Sequence, residues 1–427
     1  MFSATTSFAG DMPQVNAPAE PPAEKRLLLE PLISEAFTAN PELRAIEQSV
    51  RAARFRVPQA SALPDPMVMF GYQNEGWERY TYGEMEDAMW MYSASQMFPF
   101  PGKRRLKGEM AEKDAEGLTA EYDDMKLRVE ARVKEFYYEL FLAYKELDII
   151  GSRKTLFQQI EDAALARYTS GMGPQQEVIM AQTEKYMLKE KEEMLNQQIR
   201  STEAMLNSTL GRDIGAPLGR PEDVSPGKDM RGMEGFLAGY SASSPRIKSR
   251  ERMMEAAEAR VKMAKKEYYP DFTLKGSVFT RKGEFDDMWS LTTELNIPLY
   301  YRKKQRQAVN EAEASFLQAK NELEAEKLMI ASGIRDNYAM IRASENLLGL
   351  YREGIIPKIA QDFESALAGY HTGKVEAITV INRLKALLDT ESLYWKQVVE
   401  QRKALARLKG LTGIPETETG QSPAKGK

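Results

Sequence analysis

Two kinds of hydrophobic pattern alternate along the chain. Between Phe272 and Val278, apolar residues recur at every second position: Phe272, Leu274 and Val278 share one face, and Thr273, Lys275 and Ser277 the other. A second run repeats this, with Trp289, Leu291, Leu295 and Ile297 alternating with Ser290, Thr292, Glu294 and Asn296, and the polar stretch TRKGEFDDM joins the two. Each reads as a strand with one oily and one wet face. An earlier, less regular run sets Trp90, Tyr92 and Phe98 against Met89, Ser93 and Ser95, with Gln96 interrupting the apolar side.

Elsewhere the spacing is helical. After PGKRR the apolar positions Leu118, Tyr122, Met125, Val129, Val133, Phe136, Leu140, Ala143, Leu147 and Ile150 alternate steps of three and four, the spacing of a coiled-coil seam. Val309, Ala312, Phe316, Ala319, Leu323, Ile330 and Ile334 repeat it. No proline interrupts Arg104 to Tyr168, so the spacing predicts a single rod of roughly 100 Å at 1.5 Å per residue. In ASQMFPFPGKRRLKG the pattern changes period within a few residues. Proline cannot donate to a strand ladder and fits the first turn of a helix, so Pro99, Pro101 and Gly102 predict a strand-to-rod junction.

The two patterns belong to a duplication. NPELRAIEQSVRAARFRVPQASALPDP and SPRIKSRERMMEAAEARVKMAKKEYYP both open on a capping residue followed by proline, and both end on a proline before apolar alternation. Pro66 pairs with Pro270, Pro99 with Pro298 and Tyr168 with Tyr370, at offsets of 204, 199 and 202 residues. Three anchors in the same order predict a repeated unit of helix, strand, strand, very long helix, turn and long helix.

The predicted division is an extended leader over 1–31, a short helix over 32–66, a hairpin over 67–99 and a long helical hairpin over 100–211. A linker over 212–243 follows, then a short helix over 244–270, a hairpin over 271–298, a second long helical hairpin over 299–413 and a disordered tail over 414–427.

Composition narrows the function. The 427 residues carry 59 Lys and Arg against 63 Asp and Glu, a net charge of -4, which gives no electrostatic reason to expect nucleic acid. The absence of cysteine removes disulfides, thiolate metal sites and a lipidated N-terminal cysteine from the sequence as it stands. The N-terminal residues lack the basic start and apolar run of a secretory signal, which is the expectation for a cytoplasmic or a processed chain. No apolar stretch nears the length of a spanning helix, a test that membrane strands do not have to pass.

The chemical candidates are weak. PGKRR lacks the glycine spacing and the Ser or Thr of a phosphate loop. His371 is the only histidine and reads as an exposed turn residue. The pairs Glu192–Glu193 and Asp123–Asp124 read as solvated faces of a rod. Nothing points to an enzyme, a cofactor or a resident metal. Of the 23 methionines, Met67, Met69, Met85, Met89, Met91 and Met97 crowd the first strand pair. Their thioethers suit soft copper(I), but filling irregular apolar gaps on a lipid or subunit face is the favoured reading. Trp77, Tyr80, Tyr82, Trp90 and Tyr92 beside short alternating strands suggest an aromatic belt at a membrane interface.

Four membrane-length strands cannot close on themselves, because open edges in lipid leave backbone groups unpaired. Here the residues resemble a known family, the outer-membrane efflux proteins of the TolC type, including the branch that exports heavy-metal cations. The likeness runs from about Leu32 to Gly413 and is carried by NPEL, SQMFPFPGKRR, NIPLYYRKKQ and YREGIIPKIAQDFESALAGYHTGKVEAITVINRLKALLDTE. It implies a mainly α fold with a membrane β-barrel portion: a homotrimer whose chains each give four strands to one twelve-stranded barrel, continued as a helical tunnel through the periplasm. Its partners would be outer-membrane lipid, a periplasmic adaptor and an inner-membrane pump.

The resemblance places the adaptor-docking tip at Ser170, Gly171, Met172 and at Thr372, Gly373, Lys374. It makes Tyr168, Glu177, Tyr370 and Glu376 candidates for the pore constriction, with Thr379, Asn382 and Val375 where the family often carries charge. Pro99, Pro101, Gly102 and Pro298 would mark the strand-to-helix junctions, and Trp90, Tyr92, Trp289, Leu291 and Leu295 would face the membrane. The alternative is a soluble or periplasmic coiled-coil scaffold or adaptor, whose strands would form a small sandwich.

Overall fold

The computed structural model describes residues 26–227 and 232–415. Most of the predicted leader, and the tail beyond residue 415, lie outside the described residues.

Each repeat opens with two short helices where one was predicted. They are α1 (Leu29–Ala39) and α2 (Pro41–Ser61) in the first, and α5 (Met233–Ser243) and α6 (Pro245–Lys266) in the second. Proline disfavours helical geometry in the residue before it, so Asn40 (ψ 124°) and Ser244 (ψ 119°) are extended and the helix breaks there. The leader reading over 1–31 therefore overlaps α1, and the stretch predicted as a linker contains α5.

Both breaks are anchored alike. Asn40 caps α2 by accepting from the Leu43 amide at 3.0 Å, and its Nδ2 donates to the Thr209 carbonyl at 2.7 Å. Ser244 Oγ donates to the Leu411 carbonyl at 3.0 Å. Each acceptor lies in the last turn of a long helix, α4 (Gln175–Leu210) or α9 (Ala377–Thr412). Those helices end on Gly211 (φ 71°) and Gly413 (φ 68°), where a side chain would strike the Ala39 or Ser243 carbonyl. The duplication is thus repeated down to its hydrogen bonds.

The first rod, α3 (Lys103–Thr169), runs unbroken for 67 residues. Val129, Val133, Leu140, Ala143 and Ile150 of the predicted seam are buried, and so are Tyr137, Tyr138 and Phe141 on another face. One seam underestimates its burial, because α3 packs against α2 and α6 as well as α4 and α9. The second rod is interrupted: α7 (Gln305–Leu350) passes through a π-helical turn, Tyr351–Ile355, into α8 (Ile356–His371). Pro357 has no amide hydrogen to give the carbonyl one turn back, and the chain accommodates it by widening that turn. α7 also leaves Leu317, Leu328 and Met329 exposed.

The strands β1 (Met67–Gln73), β2 (Met89–Phe98), β3 (Asp271–Thr280) and β4 (Met288–Asn296) form one antiparallel sheet in the order β1-β2-β3-β4. The central pairing, β2 with β3, joins the two repeats. A single layer replaces the sandwich of the scaffold alternative.

Candidate functional site

The register sorts the sheet into two faces. Residues directly opposite across a ladder share a face. Trp90, Tyr92, Trp289, Leu291 and Leu295 therefore fall together, with Val68, Phe70, Phe272, Leu274 and Val278. This apolar face is bare: Trp289 is 79% and Leu291 64% exposed. On the other face Met89, Ser93 and Ser277 are buried. The polarity is inverted relative to a water-soluble sheet packed on a core. Among the described residues, no strand pairs with the outer edge of β1 or β4.

At the first junction, the turn is made by Gly102 (φ 96°), which stands just before α3. Pro101 precedes that cap and is not in the first helical turn as predicted; the left-handed backbone there is open to glycine and strained for other residues. Pro99 and Pro101 flank Phe100, whose amide donates to Asp271 Oδ1 at 2.7 Å and whose ring stacks on Tyr269 at 4.5 Å. Lys103, which sequence reasoning had not singled out, is buried here. Its ammonium donates to Asp271 (2.9 Å), Glu267 (3.2 Å) and the Tyr269 carbonyl (3.0 Å), which satisfies all three of its hydrogens. The link ties the first repeat's rod to the second repeat's strand. At the second junction, Pro298 is followed by a longer turn before α7, and Leu299 and Tyr300 stand exposed.

At the opposite end, two turns join the long helices. Gly171 and Gly373 share a φ of 72°. The Met172 and Gly173 amides donate to the Arg167 carbonyl, and the Lys374 and Val375 amides to that of Gly369 at equivalent positions. Ser170, Met172, Thr372 and Lys374 are exposed. Packing across the turns is reciprocal. A Cβ on Gly173 would lie 3.1 Å from Arg167 Cβ, and one on Gly369 would lie 2.6 Å from Val375 Cγ2. Each turn sets one large residue over one glycine, in opposite order.

Of the four constriction candidates, the fold brings two together. Tyr370 (1% exposed) and Glu177 are buried, with the Tyr370 hydroxyl 3.4 Å from Glu177 Oε2. Arg167 completes the group, with Nε 3.7 Å from Glu177 Oε2 and its guanidinium 5.1 Å from the Tyr370 ring centre. Burial pushes the Tyr370 phenol up to about 12; the Glu177 carboxylate adds to that shift and Arg167 opposes it. Tyr168 (43% exposed) and Glu376 stand outside this cluster in the single chain. Arg167 was missed by sequence reading; the signal was its repeat counterpart, Gly369, which leaves no charge to match.

Among the described residues, no group of three His, Cys, Asp or Glu is placed to hold a metal, and no helix is long and apolar enough to cross a membrane.

Comparison with known proteins matches residues 32–212 and 240–414 to the family described as outer membrane efflux protein. No curated protein matches the sequence. Among solved structures, the fold is similar to VceC, an outer membrane protein of Vibrio cholerae (17% identity, TM-score 0.77, covering 90% of this chain and 96% of that one). It is similar also to CusC, whose structures concern folding and transmembrane channel formation (16%, 0.77, 94% and 98%). A third is the Campylobacter jejuni CmeC outer membrane channel (13%, 0.75, 95% and 94%).

Proposed function

The chain belongs to the outer membrane efflux protein family, and on that premise we propose that it acts as the outer-membrane channel of a three-part exporter, closed as a homotrimer. The observation that carries the proposal is the sheet: one layer, apolar on its bare face, with both edges unpaired among the described residues. In water such a sheet would expose backbone groups and large side chains together. In lipid it is stable only when closed.

The duplication supplies the closure. β2 of the first repeat pairs β3 of the second, and α3 packs on α6. Repeating those contacts between chains pairs β4 with β1 of the next copy and sets α2 of the next copy against Leu317, Leu328 and Met329 of α7. This is a head-to-tail contact, which closes into a ring. The rods continue the barrel as a tunnel into the periplasm.

The chain is a passive conduit in this reading. An inner-membrane pump supplies substrate and energy, and a periplasmic adaptor grips the exposed turns at Ser170–Met172 and Thr372–Lys374. The Tyr370, Glu177 and Arg167 group, with Tyr168 and Glu376 added from neighbouring copies, narrows the tip. Heavy-metal cations are the substrate class favoured by the FPFPGK junction.

The test is native mass and detergent dependence of protein expressed with an export signal. A detergent-requiring trimer in the outer-membrane fraction is expected. A stable water-soluble monomer or dimer would overturn the channel and restore the coiled-coil scaffold.

A further inference from the structure

The methionines of the first hairpin are not where gap-filling on a lipid face would put them. Met67 is opposite Ser95, Met69 opposite Ser93, and Met91 opposite Gly71, so all three share the face of Ser93, Ser95 and Ser277. Met89 and Met97, at every second position of β2, fall on it too. The aromatic residues occupy the reverse face. Five thioethers thus run along the face of β1 and β2 opposite the aromatic one, among hydroxyl groups.

Nor do they all fill gaps. Met67 is 65% and Met69 46% exposed, so neither is packed into a gap of the sheet. The Met91 side chain leans across to β1, its Cε 3.2 Å from where a Cβ on Gly71 would stand. The glycine leaves that space open beside Met69. Met67 with Met97, and Met69 with Met91, are diagonal neighbours across the ladder, about 7 Å apart at the backbone and within reach of each other's long side chains. Lys275 and Glu294 share the same face on β3 and β4 at diagonal positions, so their opposite charges balance.

We propose that this stripe of diagonal methionine pairs is a transit site for soft monovalent cations, Ag⁺ or Cu⁺, on the wall of the barrel lumen. The proposal rests on the channel reading, because it takes the face opposite the bare apolar one as the lumen. Neutral thioethers prefer soft, polarisable d¹⁰ ions over the hard cations of the medium. With only two sulfurs at each step the ion is held weakly, and conduction needs binding strong enough to admit an ion and weak enough to release it. Three copies would present three such stripes.

The test uses the full-length protein purified as a trimer from outer membranes, with silver nitrate in chloride-free buffer as the probe. Silver bound to the wild type is expected to show a sulfur-only shell by X-ray absorption. A variant with Met67, Met69, Met91 and Met97 all changed to Leu keeps the apolar volume and should bind silver about tenfold more weakly. Cells carrying it should lose silver tolerance, while the purified trimer keeps its potassium conductance in planar bilayers. Unchanged silver binding, or an equal loss of silver tolerance and potassium conductance, would overturn the proposal and leave the stripe as apolar lining. Should the Leu variant fail to assemble, oxidation of the wild-type trimer by dilute hydrogen peroxide at acid pH decides, since it converts thioether to sulfoxide and releases only water: silver must protect Met67 and Met69, and the absence of protection counts against the site. A normal trimer that ignores silver refutes this inference alone, whereas a water-soluble chain refutes the channel and the inference with it.

Discussion

Tyr370 and Glu177, 193 residues apart in sequence and both buried, meet beside the turns of the helical hairpins with hydroxyl and carboxylate 3.4 Å apart. The contact joins α8, from the second repeat, to α4, from the first. Its repeat counterpart would use Tyr168 and Thr379, on different chains of a ring. The contact within a chain is therefore charge-assisted, and the one between chains is not.

Replacing Tyr370 with Phe keeps the ring under Arg167 and removes the hydroxyl. The expected cost is about 1.5 kcal/mol, the low end for a bond to a charged acceptor, because the distance is long. Single-channel conductance in planar bilayers should rise. An unchanged conductance would place the narrowest point of the tip elsewhere.

The same tyrosine gives a pH dependence. Its phenol titrates near 10.0 when free and is raised to about 12 in the fold, so the folded state favours the neutral form. That contribution is fully present below pH 10 and is lost as pH rises from 10 to 12. Conductance measured across this interval should increase in the wild type, and the increase should be smaller in Tyr370→Phe. Parallel titrations of the two proteins would show that another group responds.

Ring closure can be tested without background, because the chain has no cysteine. Leu274 faces Gln96 within one chain. Carried through the repeat offsets, that pair becomes Phe70 and Leu295 of adjacent copies. Phe70→Cys with Leu295→Cys should give oxidised two- and three-chain species on non-reducing gels, since directly opposed residues have Cα atoms about 5 Å apart. Phe70→Cys with Thr292→Cys should not. Crosslinking of the second pair in preference to the first would shift the register.

At the first junction, Lys103→Met leaves Asp271 and Glu267 without their shared cation. Removing one partner of a buried pair costs about 3 to 5 kcal/mol, and the lower figure is expected because Glu267 is partly exposed. The measurable result is dissociation of the trimer at lower temperature in detergent. A trimer as heat-resistant as the wild type would mean that the burial is relieved on assembly.

Gly171→Val and Gly373→Val force branched side chains into backbone at φ 72°, at a cost of about 1 to 2 kcal/mol each. Both turns should lose their shape. Loss of adaptor crosslinking and of efflux-dependent resistance is expected; survival of both would remove the docking assignment.

The strands were legible because alternation at period two is local, and the structure keeps the predicted faces of β3 and β4 residue for residue. The duplication was legible from prolines, which restrict backbone wherever they occur. Less local features escaped. The break at Asn40 has its cause in Pro41 but its anchor in a carbonyl 169 residues away, and Lys103 depends on acceptors more than 160 residues along the chain. The π-helical turn has a local cause in Pro357, but prolines also end or kink helices. The alternation sets Met89 with Ser93 and Ser95, whereas the pairing of the methionines across β1 and β2 depends on a register that neither strand carries alone.

The two unlike edges of the sheet have a genetic consequence. A ring is completed only when every β4 meets a β1, so a chain with one ruined edge still captures a healthy neighbour through the other. Such an allele, expressed beside the normal gene, would spoil more rings than its share of the protein. Mutations confined to one edge should therefore be dominant, and mutations that destroy both edges, or prevent the chain from folding at all, recessive.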